Sequence, residues 1–412
     1  MEGFKILGIG IHEYGRSLWN RRFDTKSFWV RCMKVNVIYA KFFQAAALHY
    51  GLADEVHVIP YEEDELVYPE IPVKNVIGSG LISIVFEGEL EGVPVVIKTK
   101  RKNIEQRITA TLASLESWIL CFHRIVSCPI FLESYRDVSA NFKQQLDFVS
   151  EYKNQVKFTE LYQELPFLRI PKLYPNLCNE NQLVMTKLEG VAIQDLTEEE
   201  KMQTVRWMAK MCVHGTMKCG YTHSDLHAGN LIFGRDFLGI IDYGFMLDLN
   251  ETDKMIIYNI FKEFALDNLE EACAYTLKLT CPANALEELS IEGVQDITKF
   301  IIDIYRESLS QNKFFTVYDM IKMNKKLNHY GLTLSSTFYN SIVGLNTTDS
   351  VLQAMSINSM DFIICSTLEF LENESLEVVD GSGNKNGEDG NDEIGLICTV
   401  EEDVCTDSRN DK

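Results

Sequence analysis

The chain has 412 residues, 46% of them hydrophobic, and a formal net charge of −21. That length exceeds what one hydrophobic core usually serves, so two domains, or one fold with two lobes, are expected. The charge excludes nucleic acid as the main partner, since phosphate backbones need a basic stripe, and it excludes a general attraction to anionic lipid surfaces.

The first segment, residues 1–74, opens MEGFKILGIGIHEYGRSLWNRR. It carries Glu2 and Glu13, lacks a long apolar run and shows no small-residue cleavage pattern, so no signal or transit peptide is evident. Eleven cysteines without a CxxC pair fit free thiols in a reducing compartment. No run of 18 or more apolar residues predicts a transmembrane helix. LVYPEIPVK, residues 66–74, holds two prolines and marks a boundary.

Beyond it, residues 76–100 (VIGSGLISIVFEGELEGVPVVIKTK) predict a Gly-Ser-Gly turn and then a β-hairpin turning around Gly88 to Gly92. Residues 101–165 alternate charged and apolar positions at helical spacing. QLVMTKLEG, residues 182–190, predicts a strand entering a connector. Residues 198–220 predict a helix with Val205, Met208, Ala209, Cys212 and Val213 on one face, ended by Gly220. Past Asn250 the chain is helical again. Its apolar stripe of Val294, Ile297, Phe300, Ile301 and Ile304 is read as core. From Glu372 to Lys412, 13 acidic residues face three basic ones, close to half of the net charge; this acidic tail is expected to stay solvated and disordered.

The chemistry concentrates in HSDLHAGNLIF, residues 223–233. On an extended segment His223, Asp225 and His227 share one side, which invites a metal-dependent hydrolase reading. LGIIDYGF, residues 238–245, follows shortly after. A loop Asp, an Asn five residues on, two short strands and an Asp-aromatic-Gly turn are the layout of a protein-kinase catalytic loop and metal loop. Carboxylate and amide oxygens are hard ligands that suit Mg2+, so Asn230 and Asp242 are the candidate metal ligands. Asp225 is the candidate to orient or deprotonate an attacking hydroxyl or water. For His223 a structural role inside the loop is favoured, and His227 is read as supporting structure.

A nucleotide site also needs a phosphate cradle and a cation. IGSGLISIV, residues 77–85, offers Gly78, Ser79, Gly80 and Ser83, with backbone N–H groups able to approach phosphates. VVIK follows one strand later, making Lys98 the cation. Its partner is sought in QLDFVSEYKNQVKF, residues 145–158, where Asp147 and Glu151 are four apart on an expected helix and so share a face; Glu151 is preferred.

These motifs, with DFVSEYKNQVKFTELYQELPFLRIPKLYPNLCNENQLVMTKLEGV over residues 147–191, resemble the UbiB-type atypical kinases associated with ubiquinone biosynthesis. HSDLHAGN is closer to that family's H-x-D-x-H-x-G-N loop than to the HRD loop of ordinary kinases. The resemblance implies an N-terminal Lys-x-Gly-Gln helix over the nucleotide site; KFFQ keeps Lys41 and Gln44 but has Phe43 in the glycine position. It also implies an acidic Glu-x-Asp motif engaging that lysine, which stands here as Gln145, Leu146, Asp147, and a Gly-Ser-Gly turn replaces the family's Ala-rich loop.

The expected architecture is α+β: a two-lobed protein-kinase-like fold with a helical extension (1–74), a β-rich small lobe (75–190), a helical large lobe (191–371) and an acidic tail (372–412). The expected function is Mg-ATP binding with phosphoryl transfer or ATP hydrolysis, with a role in quinone or lipid metabolism implied by the resemblance. The competing class is a non-enzymatic scaffold whose lobes respond to nucleotide.

Overall fold

The computed structural model describes residues 66–80, 82–126, 143–314 and 316–380, with Gly8, His12, Arg16, Arg31 and Ser139. Lys41 and Gln44, expected to lie over the nucleotide, fall outside the described residues, as does the tail beyond Asp380.

The small lobe is built on four antiparallel strands in the order β1, β2, β3, β5: β1 (Val73–Ser79), β2 (Ser83–Leu90), β3 (Val93–Lys100) and β5 (Gln182–Thr186). Alternation along β3 decides what each face does. Val95 and Ile97 pack with Ile84, Phe86 and Val184 in one apolar cluster. Val96 and Lys98 point the other way, toward α1 (Ile104–Val126) and α2 (Phe148–Leu161), where Ile108, Leu112, Phe148 and Leu183 form a second cluster. Lys98 thus leaves the sheet on the side that carries α2.

One expectation here is corrected. The hairpin turns at Glu91 and Gly92, whose φ values are 52° and 82°, while Gly88 lies inside β2. A Cβ at Gly88 would stand 2.7 Å from Ile97 and 2.9 Å from the Pro72 carbonyl, so close strand packing, not a turn, requires that glycine. β1 begins at Val73, directly after the two prolines of residues 66–74.

The large lobe starts with α3 (Glu198–Val213), opened by a capping box between Thr197 and Glu200. It passes into a π-helical turn, His214–Cys219, and stops at Gly220 in the left-handed region at φ 65°. Two short ladders follow, β6 (Tyr221–His223) with β9 (Met246–Asp248), and β7 (Leu231–Phe233) with β8 (Leu238–Ile240), the latter continued by β4 (Leu168–Arg169).

Helices then form the core: α4 (Glu251–Ala265), α5 (Leu269–Lys278), α6 (Ala283–Glu287), α7 (Ile291–Ser310), α8 (Val317–Asn328), α9 (Ser336–Ala354) and α10 (Ser359–Asp380). Ile297, Ile301 and Ile304 of α7 are buried, as the stripe required, with Val294 and Phe300 half-buried at its margins. The fold is α+β and kinase-like, a sheet-based lobe on a helical one. Helix α10 runs to Asp380, past the expected onset of the solvated tail at Glu372. No single helix among the described residues is long and apolar enough to cross a membrane.

Candidate active site

The site lies where β3, α2 and the loops after β6 and β8 meet. Lys98 Nζ donates to Glu151 Oε1 and to Asp242 Oδ2, both at 2.6 Å. The Glu151 side chain is 3% exposed, that of Lys98 13% and that of Asp242 33%, so the carboxylate of Asp242 alone has an open side. Phe148 walls the ammonium, its ring centre 5.4 Å away.

Burial opposes the charge on Lys98, but two carboxylates outweigh it and hold the ammonium protonated above its ordinary range. Burial also works against ionised Asp242, yet Lys98 and the Gly244 N–H, which donates to Oδ1 at 2.9 Å, keep it well below the usual carboxylate range. Glu151 is the loser: burial, with the charge of Asp242 beside it, pushes it up to about 7 against the pull of Lys98.

The loop after β6 is tied to the loop after β8 through His223. Its Nε2 donates to the Asp242 carbonyl at 2.6 Å, and its Nδ1 accepts from the Asp225 N–H at 3.0 Å. Both nitrogens are committed, which fixes the tautomer; burial lowers the pKa and keeps the ring neutral. Asn230 Nδ2 donates to the Asp225 carbonyl at 2.8 Å, leaving its amide oxygen as the atom for a cation. Asp225 itself keeps a partly exposed carboxylate, 3.7 Å from His227 Nε2. His227 Nδ1 accepts from the Gly229 N–H at 3.0 Å.

This geometry rules out the zinc reading of His223, Asp225 and His227, because a ring with both nitrogens engaged has no lone pair to give. Among the described residues no group of three or more His, Cys, Asp and Glu could hold a metal ion. One carboxylate and one amide oxygen instead fit Mg2+, which keeps several waters and relies on substrate phosphates for the rest. Asp242 and Asn230 would hold it.

Of the phosphate-cradle residues, Gly78 and Ser79 end β1, Ser83 opens β2, and Gly80 N–H donates to the Ser83 carbonyl at 2.9 Å. Asp147 needs correcting. It does not share the buried face of Glu151; it is the N-cap of α2, with Oδ1 accepting from the Ser150 N–H at 2.9 Å and Oδ2 from the Ser150 hydroxyl at 2.8 Å. Those bonds hold its carboxyl below the usual range. Any contact of Asp147 with Lys41 lies outside the described residues.

Sequence reasoning missed Asn154, which donates to the Tyr243 carbonyl at 2.9 Å and accepts from the Tyr221 hydroxyl at 3.0 Å, tying α2 to β6 and to the loop after β8. Its signal was spacing: Asn154, Phe158 and Tyr162 continue the Glu151 face of α2 at helical intervals. Also missed was a cavity of about 370 Å³ between the connector and β7, lined by Gly190, Val191, Ile193, Ala228 and Ile232. A Cβ at Gly190 would lie 2.5 Å from Ile232, so only glycine brings the connector this close.

Residues 65–276 match the model of the ABC1 atypical kinase-like domain. The chain belongs to that family. Among its relatives, "Probable protein kinase UbiB" of Histophilus somni is 28% identical over 196 residues, 43% of this chain and 35% of the relative. The protein of the same name from Pasteurella multocida is 27% identical over 192 residues, 43% and 36% of the two chains. "AarF domain-containing protein kinase 1" of Gallus gallus is 21% identical over 200, 46% and 38%. The matched part of this ABC1-family chain therefore spans little more than a third of the length of those relatives. A solved complex of Rv3197 with erythromycin from Mycobacterium tuberculosis aligns with 78% of this chain and 79% of its own, at 15% identity and a TM-score of 0.45. Helices α6 to α10 lie beyond the stretch that the family model matches.

Proposed function

We propose that this ABC1-family chain binds Mg-ATP between its lobes and transfers the γ-phosphoryl group to a hydroxyl acceptor or to water. The observation that carries the reading is the Lys98 ammonium shared between Glu151 of the small lobe and Asp242 of the large one, with the Asp225 carboxylate on the loop that Asn230 and His223 tie down. Phosphoryl transfer needs little covalent chemistry from a protein; it needs positioned charge.

Lys98 orients phosphate oxygens, and Glu151 keeps it in place when Asp242 turns to the cation. When bound, Mg2+ neutralises charge building on the phosphate oxygens. Asp225 accepts the hydrogen bond of the attacking hydroxyl or water and aims it. Gly78, Ser79, Gly80 and Ser83 line the phosphate end of the site. The cavity under the connector takes the nucleoside end, with Ile232 as its apolar floor. The acceptor class we favour is a quinone-pathway or lipid-pathway molecule, on the resemblance to the UbiB-type family.

The experiment is phosphate release from Mg-ATP by the wild type and by Asp225→Asn, with binding measured alongside. Turnover that Asp225→Asn abolishes while binding survives supports an enzyme. Binding by both with no release from the wild type supports a nucleotide-responsive scaffold.

A further inference from the structure

Three cations stand close together in sequence at the end of β3, where the chain turns toward α1, and each has a different destination. Lys98 goes to Glu151 and Asp242, and Lys100 Nζ donates to Glu105 at 2.6 Å. Arg101 goes under the glycine-containing turn. Its Nε and Nη2 donate to the Gly80 carbonyl at 3.0 and 2.7 Å, and Nη2 donates to the Ser79 hydroxyl at 2.8 Å. Its backbone N–H takes the Ile82 carbonyl at 2.8 Å. Arg101 is only 3% exposed, so it cannot itself reach a ligand in the cleft.

The consequence is electrostatic. A turn that cradles phosphate must present N–H groups and keep its carbonyl oxygens away, since those repel the anion. Here the Gly80 and Ile82 carbonyls are turned inward onto Arg101, and the Gly80 N–H is spent on the Ser83 carbonyl, so Gly80 shapes the turn and does not donate to the anion. A fixed guanidinium charge then lies directly beneath the turn, in a position where burial limits screening by solvent. A fork of donors suits this better than an ammonium, because one planar group must satisfy two acceptors at once.

We infer that Arg101 is the positioning residue of the phosphate site, holding the Gly80 and Ile82 carbonyls inward and adding a second, buried cation behind the polyphosphate of the bound nucleotide. This deepens the nucleotide reading above and rests on it. The ligand it serves is a nucleoside triphosphate rather than a nucleoside, since its effect is confined to the turn and does not extend to the cavity under the connector.

Calorimetric titration of the full chain with Mg-ATP and, separately, with adenosine tests it. Arg101→Met should weaken Mg-ATP about tenfold while adenosine stays within about twofold, and Arg101→Lys should recover part of the loss. Ser79→Ala, which removes the hydroxyl that accepts from Arg101 Nη2, should weaken Mg-ATP by about two- to threefold and leave adenosine alone. Unchanged Mg-ATP affinity in Arg101→Met, or equal losses for ATP and adenosine, would overturn the proposal. If Arg101→Met does not fold, Ser79→Ala and Arg101→Lys decide, and wild-type ATP affinity in both overturns it. A wild type that binds adenosine but not Mg-ATP removes the triphosphate reading itself, and the proposal with it.

Discussion

Lys98 and Asp242 are 144 residues apart in sequence and 2.6 Å apart in space, and their contact joins the small-lobe sheet to the loop after β8 in the large lobe. Removing the cation leaves two carboxylates facing each other, one of them buried. Lys98→Met should therefore destabilise the apo protein by roughly 3 kcal/mol and abolish Mg-ATP binding. Chemical denaturation with and without Mg-ATP measures both; unchanged stability would mean the ion triad contributes nothing to folding.

The raised pKa of Glu151 makes a pH prediction. The unfolded carboxyl loses its proton near the ordinary glutamate value of 4.5, and the folded one at about 7. Between these the folded state holds the extra proton, so its contribution to stability is present at pH 4 and lost as pH rises through about 7. Neutral, buried His223 works in the opposite sense, gaining stability as pH rises through its ordinary value of 6.5. The difference in melting temperature between wild type and Glu151→Gln cancels His223 and should shift against the wild type from pH 5 to pH 8. A pH-independent difference contradicts the assignment.

Asp225→Asn should lower phosphate release by about a hundredfold or more, with Mg-ATP affinity within about threefold, because the residue faces the acceptor and not the nucleotide. A parallel loss of affinity would place Asp225 in the nucleotide site instead.

Asp147→Ala should cost about 1 kcal/mol of stability through loss of the α2 cap, with no change in nucleotide affinity. Thermal unfolding and ATP titration separate the two effects. A large loss of affinity would show that Asp147 serves the nucleotide site as well as capping α2 through Ser150.

The catalytic loop also leans on α9, beyond the family-matched segment. Leu226 N–H donates to the Thr347 hydroxyl at 3.0 Å, and a Cβ at Gly344 would lie 3.2 Å from the Ser224 Cα. Thr347→Val leaves that N–H without its acceptor and should cost about 1–3 kcal/mol with reduced turnover. Full activity in both Thr347→Val and Gly344→Ala would show that α9 does not support the loop.

Much of the site was legible because its residues are fixed by local rules. Alternation in β3 pins Lys98 to one face, and the spacing from Asp225 through Asn230 to Asp242 spans two short strands whose turns have little freedom. What was not legible depends on contacts between distant segments. Whether Asp147 ends a helix or lies on its face depends on where the helix starts, which periodicity leaves open by a residue or two. The inward aim of Arg101, the approach of Gly344 to Ser224 and the packing of Gly88 under Ile97 follow from register and lobe packing, and no pattern within one segment encodes them. Gly88 and Gly92 look alike in the sequence; one is needed for space and the other for its φ.

The most direct test of the account is the Mg-ATP-dependent shift in melting temperature of wild type and Asp242→Asn. Saturating ligand, at about 100 times its dissociation constant, should stabilise the wild type by about 2.7 kcal/mol, a rise of a few degrees, and Asp242→Asn should lose most of it. Equal shifts in the two proteins, or none in either with magnesium present, would contradict the nucleotide site described here.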